Sequence, residues 1–250
     1  MRLRAVLALA LVLPAACGDG DGASKPRLTV SAAASLKAAF TAYGKDFTPS
    51  AARFSFAGSD ELAAQIRQGA RPDVYAAADT QLPRRLFAEG RVGRPVAFAR
   101  NRLVLAVPAG SGIASVDDLA RPGVKLAMGA EGVPIGDYAR EVLARLPRPQ
   151  SRAILANVRS NEPDVAGVVG KLSQGAADAG FVYATDVRAA GGGLRALELP
   201  LRLRPRVTYA IAVVSEARRP REARAFIDGL LWGAGRAAMR RAGFESPPRP

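Results

Sequence analysis

The chain has 250 residues, 49% of them apolar, with 36 Lys and Arg against 22 Asp and Glu for a formal charge of +14. That length supports one large domain or two lobes with real cores, and its basic residues are scattered among acidic ones rather than gathered into a nucleic-acid arm. Histidine is absent, which removes the commonest general base and metal ligand and with them most Ser-His and zinc chemistry.

Arg2 and Arg4 precede an apolar run, Ala5 to Leu13, that is too short to span a bilayer, and Pro14-Ala-Ala-Cys17-Gly follows. This has the form of a lipoprotein signal peptide in which Cys17, the single cysteine, becomes the lipidated first residue of the mature chain. Pro14 stands where leucine is usual, and ordinary secretory cleavage nearby is the alternative. Residues 1–16 are therefore expected to be a signal peptide and residues 17–26 a polar tether. With Cys17 acylated, the folded part has no thiol for a disulfide or for nucleophilic attack.

Past the tether, Leu28 to Ala32 reads as a strand that ends in small residues and runs into a helix headed by Ser35. The helix should reach Phe47, with Leu36, Ala39, Phe40, Tyr43 and Phe47 on one face and Pro49 stopping it. Serine is a good N-cap, and a helix N-terminus offers free N–H groups and partial positive charge to an anion. The same arrangement repeats at once. Ala52 to Ala57 alternates as a strand, Gly58-Ser59-Asp60-Glu61 opens a helix over Leu62 to Gln68, Pro72 to Asp79 is a third strand, and Gln81 to Glu89 a third helix. Three successive β–α units predict a mostly parallel sheet with helices on both faces.

Val96 to Phe98 and Leu103 to Val107 follow as strands, and the loop Pro108-Ala-Gly-Ser-Gly112 reads as a crossover into a second lobe. There the pattern restarts: a short helix at Val116 to Leu119, a strand at Val124 to Met128, and a loop to Gly136 before a helix ending at Leu146. Ile154 to Val158 reads as a strand, Pro163 to Gln174 as a helix, Ala179 to Ala184 as a strong strand and Leu194 to Leu199 as a weaker one. Val207 to Val214 is long enough to return to the first lobe, where helices Arg219 to Leu231 and Ala234 to Arg241 would pack. The expected organisation is lobe 1 from residues 27–107 and 212–250 and lobe 2 from residues 108–211. Two α/β lobes joined by two crossovers make a hinge with a central cleft, faced by strand ends and helix N-termini.

Several segments occur in order that together resemble the periplasmic molybdate-binding proteins, the solute receptors of molybdate ABC transporters. They are Ala33-Ala-Ser35-Leu, Phe56-Ala-Gly-Ser59, Leu62-Ala-Ala-Gln-Ile66, Pro72-Asp-Val-Tyr-Ala-Ala-Ala-Asp79, Gly132-Val-Pro-Ile-Gly-Asp-Tyr-Ala139, Glu162-Pro-Asp-Val165 and Gly180-Phe-Val-Tyr183. The similarity spans roughly Leu28 to Phe244. It implies an α/β, two-lobed periplasmic-binding-protein fold of type II. It also implies an exported protein, in the periplasm or lipid-anchored at the outer face of the cytoplasmic membrane, that binds molybdate or tungstate and meets a membrane permease. No cofactor, no nucleic acid and a monomer are expected. By position the resemblance assigns the oxyanion to the hydroxyls of Ser35, Ser59 and Tyr183 and the backbone N–H groups of Ile135 and Val165. No direct metal-cation ligand is implied.

The chemistry of that set is coherent. A fully deprotonated tetrahedral dianion offers only acceptors, so a site of donors suits it. Hydrogen phosphate keeps a proton that such a site leaves unpaired, at about 1–3 kcal/mol. Sulfate or another tetrahedral oxyanion remains an alternative ligand, to be separated by cavity size. Asp60 and Glu61 stand where many relatives carry hydroxyls; acids in a first turn favour the helix dipole and usually face water. Asp60 turned inward would repel a dianion, and Asp137 raises the same question at the other wall. An enzyme on this fold is disfavoured by the missing histidine and paired carboxylates, and a ligand-sensing regulator would need a DNA-binding or signalling module.

Overall fold

The computed structural model describes residues 27–247. The expected signal peptide, Cys17 and the tether lie outside the described residues.

The strand–helix alternation read from the sequence is present throughout. β1 (Arg27–Ala33), β2 (Ala51–Ala57), β3 (Val74–Ala77) and β4 (Val96–Asn101) alternate with α1 (Lys37–Asp46), α2 (Ser59–Arg67) and α3 (Gln81–Ala88). β10 (Val207–Val213) joins them in a five-stranded sheet of order β2-β1-β3-β10-β4. A second sheet, of order β7-β6-β8-β5-β9, is built from β5 (Leu103–Pro108), β6 (Leu126–Gly129), β7 (Val158–Glu162), β8 (Ala179–Tyr183) and β9 (Leu194–Glu198). Its helices are α4 (Pro134–Ala144), α5 (Arg148–Ala156), α6 (Val165–Ser173) and α7 (Ala184–Ala189), while α8 (Pro220–Trp232) and α9 (Ala234–Arg241) follow β10.

In each five-stranded sheet four strands run one way and one, arriving from the other lobe, runs antiparallel to its two neighbours. β1 runs parallel to β2 and β3, and β10 runs antiparallel to β3 and β4. In the second sheet β6 runs parallel to β7 and β8, and β5 runs antiparallel to β8 and β9. This is the two-lobed α/β fold of type II.

The expected lobe boundaries at 107/108 and 211/212 do not match the sheets. β5 belongs to the second sheet, so the chain changes lobe at Arg102, and β10 belongs to the first, so it returns between Leu199 and Val207. Leu103 to Val107 is fully buried. A buried extended run needs ladder partners for its N–H and C=O groups, which a bare crossover cannot supply. The loop from Pro108 to Gly112 is thus a turn at the end of β5, not a hinge.

Two further expectations are corrected. Ile154 lies in α5 rather than in a strand, and the strand starts only at Val158. Pro147 and Pro149 look like breakers in sequence, but proline is at home at a helix start, where its missing N–H costs nothing. The one-and-a-half-turn α7 after Tyr183 was not expected at all.

Packing keeps the first lobe rigid beneath the cleft. Phe40 of α1 meets Phe226 of α8 edge-on with ring centroids 5.5 Å apart, and the Tyr43 hydroxyl donates to the Phe226 carbonyl at 3.2 Å. Such aromatic pairs add roughly 0.5–1.5 kcal/mol beyond area burial. The buried carboxylate of Asp73 is fully engaged: it accepts from Thr29 N and Oγ1, both at 2.8 Å, and from Arg219 N at 2.8 Å. One side chain therefore ties β1, the start of β3 and the start of α8 together.

Candidate functional site

Both sheets point the C-terminal ends of their parallel strands at the cleft, so the turns after β1, β2, β6, β7 and β8 converge there. Ala33, Ala34 and Ser35 follow β1; Ala57, Gly58 and Ser59 follow β2; Val133, Pro134 and Ile135 open α4; Asp164 and Val165 open α6; and Tyr183 ends β8. With Ala78 these residues line a narrow cavity of about 20 Å³ between the lobes. Ser35, Ser59, Ile135, Val165 and Tyr183, picked from separate stretches of sequence, all reach its wall. No Lys or Arg does.

Neither serine caps its helix as expected. Gly58 caps α2, with Ser59 its first residue, and Ala33 caps a 3-10 turn, Ala34–Leu36, that holds Ser35 and leads into α1, whose own cap is Leu36. Their oxygens are engaged elsewhere. Ser59 Oγ accepts the backbone N–H of Ala78 at 3.1 Å, which leaves its own hydrogen free, and Ser35 Oγ lies 2.9 Å from the Tyr209 hydroxyl.

From the second lobe come helix starts. Pro134 is the first residue of α4 and Ile135 the second, while Val165 is the first residue of α6. The N–H groups of Ile135 and Val165 belong to the first turn and have no carbonyl partner within the helix; Pro134 has none to offer. Asp164 also lines the cavity, with one oxygen committed to Gly167 N at 2.9 Å as the cap of α6. α4 reaches its place because Gly136 lies directly against β6: a Cβ there would overlap the carbonyl oxygens of Ala130 and Gly129.

Tyr183 is the most telling member. It is 1% exposed, and its hydroxyl has no hydrogen-bond partner among the described residues. A buried hydroxyl left unpaired costs about 1–3 kcal/mol, and Tyr183 is one of the residues that line the cavity. Burial raises its pKa well above the usual phenol value, so it remains a donor. Its backbone N–H donates to Asp186 Oδ2 at 3.0 Å, which fixes the strand end from which it projects. Burial pushes the Asp186 carboxyl up to about 7, with the Tyr183 N–H opposing and Asp164 adding to the rise.

A far wider groove, about 730 Å³, also has Ser35 in its lining and is bounded by residues of α1, α6 and α7. Its floor is largely alanine (Ala34, Ala38, Ala42, Ala166, Ala189), with Lys37, Lys45 and Arg188 among its lining. The smaller cavity, not this one, gathers the convergent donors.

Residues 28–245 match the family described as bacterial extracellular solute-binding protein. The chain belongs to that family. It is 35% identical over 247 residues to the molybdate-binding protein ModA of Mycobacterium tuberculosis, covering 93% of this chain and 92% of the relative. The periplasmic molybdate-binding protein of Azotobacter vinelandii superposes with a TM-score of 0.78 at 23% identity, over 88% of this chain and all of that one. The sulfate-binding protein SubI of Mycobacterium tuberculosis superposes with a TM-score of 0.79 at 17% identity, over 88% of this chain and 87% of that one. The fold is therefore common to receptors of different oxyanions and does not by itself name the ligand.

The acids of this solute-binding protein fall out differently from one another. Glu61 is exposed and accepts from Gln65 at 3.1 Å. Asp137 is exposed too, and its Oδ1 accepts from Gly132 N at 2.9 Å, closing the turn before α4. Asp60 does not simply face water: its Oδ1 is buried with no partner, close to where a Gly58 Cβ would stand. Burial raises its pKa, backbone N–H groups oppose, and the Glu61 and Asp137 carboxylates add to the rise. Asp79, one residue past the cavity wall, is pushed up to about 6 by burial, against the N–H of Leu82 and with help from Asp137.

The lobes touch over the cavity. A Cβ on Gly58 would stand 2.5 Å from the carbonyl oxygen of Pro163 in the other lobe, and the Tyr138 hydroxyl of α4 donates to the Ala78 carbonyl at 3.4 Å. Sequence reading missed Gly58, Ala78, Asn101 and Tyr209. Gly58 alone left a signal, as the small residue between a strand and a serine.

Proposed function

We propose that this chain is an exported receptor that binds molybdate or tungstate and delivers it to an ABC transporter permease. In this reading the oxyanion is held by the hydroxyls of Ser35, Ser59 and Tyr183 and by the N–H groups of Ile135 and Val165. The observation that carries it is that, among the described residues, the buried hydroxyl of Tyr183 has no partner and Tyr183 lines a cavity with four other donor residues and no Lys or Arg. A dianion satisfies donors from both lobes at once and so favours the closed arrangement. Helix N-termini contribute without the desolvation cost of burying a lysine or arginine. The similarity to molybdate-binding relatives selects molybdate over sulfate, which the same donors could hold; the space between the lobes would make the distinction. The protein does no chemistry on the ion.

Residues 1–16 would be removed on export, Cys17 would carry the lipid, and residues 17–26 would let a monomer reach its permease from the outer face of the membrane. Two lobes, with hinge crossings at Arg102 and between Leu199 and Val207, would open to admit the ion. Calorimetric titration with molybdate, tungstate, sulfate and phosphate tests the central claim. Micromolar or tighter binding of the first two is expected; binding of sulfate alone would convert the protein to a sulfate receptor, and binding of none would end the proposal.

A further inference from the structure

A serine hydroxyl can serve an oxyanion only while its single hydrogen is free to point at it. Beside another hydroxyl, that hydrogen can be spent on the neighbour instead. For Ser35 the neighbour is Tyr209, at 2.9 Å, and distance alone does not say which of the two donates. Asn101 decides. Its Oδ1 accepts the backbone N–H of Arg102 at 2.9 Å; an N–H can only donate, so the amide oxygen must face Arg102 and the NH₂ must face away. The two amide hydrogens then reach Thr185 Oγ1 at 2.9 Å and the Tyr209 hydroxyl at 3.4 Å. Tyr209 meets a donor at Asn101, and the acceptor left to it is Ser35 Oγ. Tyr209 donates to Ser35, and the hydrogen of Ser35 is released toward the cavity.

We propose that Asn101 and Tyr209 form a one-way hydroxyl relay that pins Ser35 as an obligate donor, and that they thereby help the site reject oxyanions that carry a proton. The proposal deepens the reading above and rests on Ser35 touching the ligand. Tyr209 is 0% exposed and Asn101 6% exposed, so the relay is shielded from solvent. Burial raises the Tyr209 phenol well above its usual value and keeps it protonated. The relay also straddles the hinge. Asn101 is the last residue of β4, next to the crossing at Arg102; Tyr209 pairs with Ala99 across the sheet; and Thr185 belongs to α7 of the other lobe. Tyr209 and Asn101 act through Ser35 and are positioning residues.

Without the Tyr209 hydroxyl nothing fixes the Ser35 rotor, and Oγ can turn its hydrogen away and accept a proton from hydrogen phosphate. With the relay intact one lone pair is taken by Tyr209 and the hydrogen is held toward the ion, which disfavours that acceptance. Two predictions follow for Tyr209→Phe: weaker binding of the fully deprotonated ion, by about ten-fold, as for one hydrogen bond to a charged group, and a smaller gap between that ion and hydrogen phosphate.

The test is a double-mutant cycle of Tyr209→Phe and Ser35→Ala, titrated with molybdate and with hydrogen phosphate at neutral pH. If Tyr209 acts through Ser35, Tyr209→Phe weakens molybdate about ten-fold in the wild type and leaves it unchanged in the Ser35→Ala background. The ratio of molybdate to phosphate affinity should fall in Tyr209→Phe alone. Equal losses in both backgrounds, or an unchanged ratio, would overturn the relay while leaving the receptor reading intact. If the wild type instead prefers tungstate or sulfate, the cycle is run with that ion. Failure of the wild type to bind any of them would sink both. Near-UV circular dichroism and Tm of the folded variants separate lost binding from lost packing, and an unfolded Tyr209→Phe is replaced by Asn101→Leu, expected to loosen the same preference.

Discussion

Ser59 in the first lobe and Tyr183 in the second both carry a hydroxyl at the cavity wall, yet they stand in opposite relations to the fold. Ser59 Oγ already accepts the Ala78 N–H, so the serine stabilises the first lobe whether or not an anion is present. The Tyr183 hydroxyl is buried with no partner among the described residues, so its lobe carries an unpaired donor. The backbone donors divide in the same way: the second lobe contributes helix starts at Ile135 and Val165, and the first contributes side chains held by its own framework. One lobe is preset for the ion, and the other is completed by it. That asymmetry suits a hinge, because the lobe with the unmet donor gains most when the cleft closes.

Glycine substitutions should break this comparison most severely. Gly136→Ala would drive a Cβ into the carbonyl oxygens of Ala130 and Gly129 and displace the start of α4. It should abolish detectable oxyanion binding and lower stability by about 2–3 kcal/mol, checked by calorimetry and urea unfolding. Gly58→Ala meets the Pro163 carbonyl of the opposite lobe at 2.5 Å and, within its own lobe, only the Asp60 carboxylate oxygen at 2.8 Å, a side-chain end that can swing aside. It should weaken binding by roughly 10–100-fold at unchanged unfolding midpoint, because only closure is hindered. A matching loss of stability in Gly58→Ala would show that the contact is part of the fold rather than of the closing motion.

The hydroxyls give the sharper version. Tyr183→Phe removes the unpaired group, so it should stabilise the ligand-free protein by about 1 kcal/mol while weakening the anion at least ten-fold. Ser59→Ala strands the Ala78 N–H and should cost about 1 kcal/mol of stability together with about ten-fold in affinity. Stability changes of the same sign in the two variants would remove the distinction between the lobes.

Charge effects should be smaller. Asp60→Asn removes a half-buried carboxylate next in sequence to Ser59 of the cavity lining, and binding should tighten by a few-fold at neutral pH, read by the same titration. For Asp186 the folded pKa, about 7, stands above the ordinary unfolded value near 3.9. The folded state therefore binds more protons between about pH 4 and 7, and stability falls as pH rises through that window. Asp186→Asn should flatten the decline of Tm across it, since the amide oxygen can still accept from Tyr183 N. An unchanged slope would assign the decline to Asp79.

Much of this was legible in the chain because the fold is periodic. Strand–small residue–helix repeats marked the ends where donors collect, and Ser35 and Ser59 stood at two of them. What stayed hidden depends on contacts between distant segments. Nothing near Ser59 says that its oxygen is taken by Ala78, nineteen residues on. Tyr209 reads as one more aromatic in an apolar strand until β10 is seen between β3 and β4. The lobe boundaries slipped for a related reason: Leu103 to Val107 and Val207 to Val213 are ordinary strands locally, and only their partners reveal to which sheet they belong.

The exchange of β5 and β10 between the sheets also sets an order of assembly. Residues 103–198 are one continuous stretch holding all five strands of the second sheet, whereas the first sheet needs β10, more than a hundred residues after β4. The lobe that begins the chain cannot finish first. β3 lacks a neighbour on one side until residue 213 is present, while β6 and β8 already have theirs. Pulsed hydrogen exchange during refolding should therefore protect amides of β6 and β8 before those of β3 and β4. The cavity's first wall, though encoded earliest, would be the last to set.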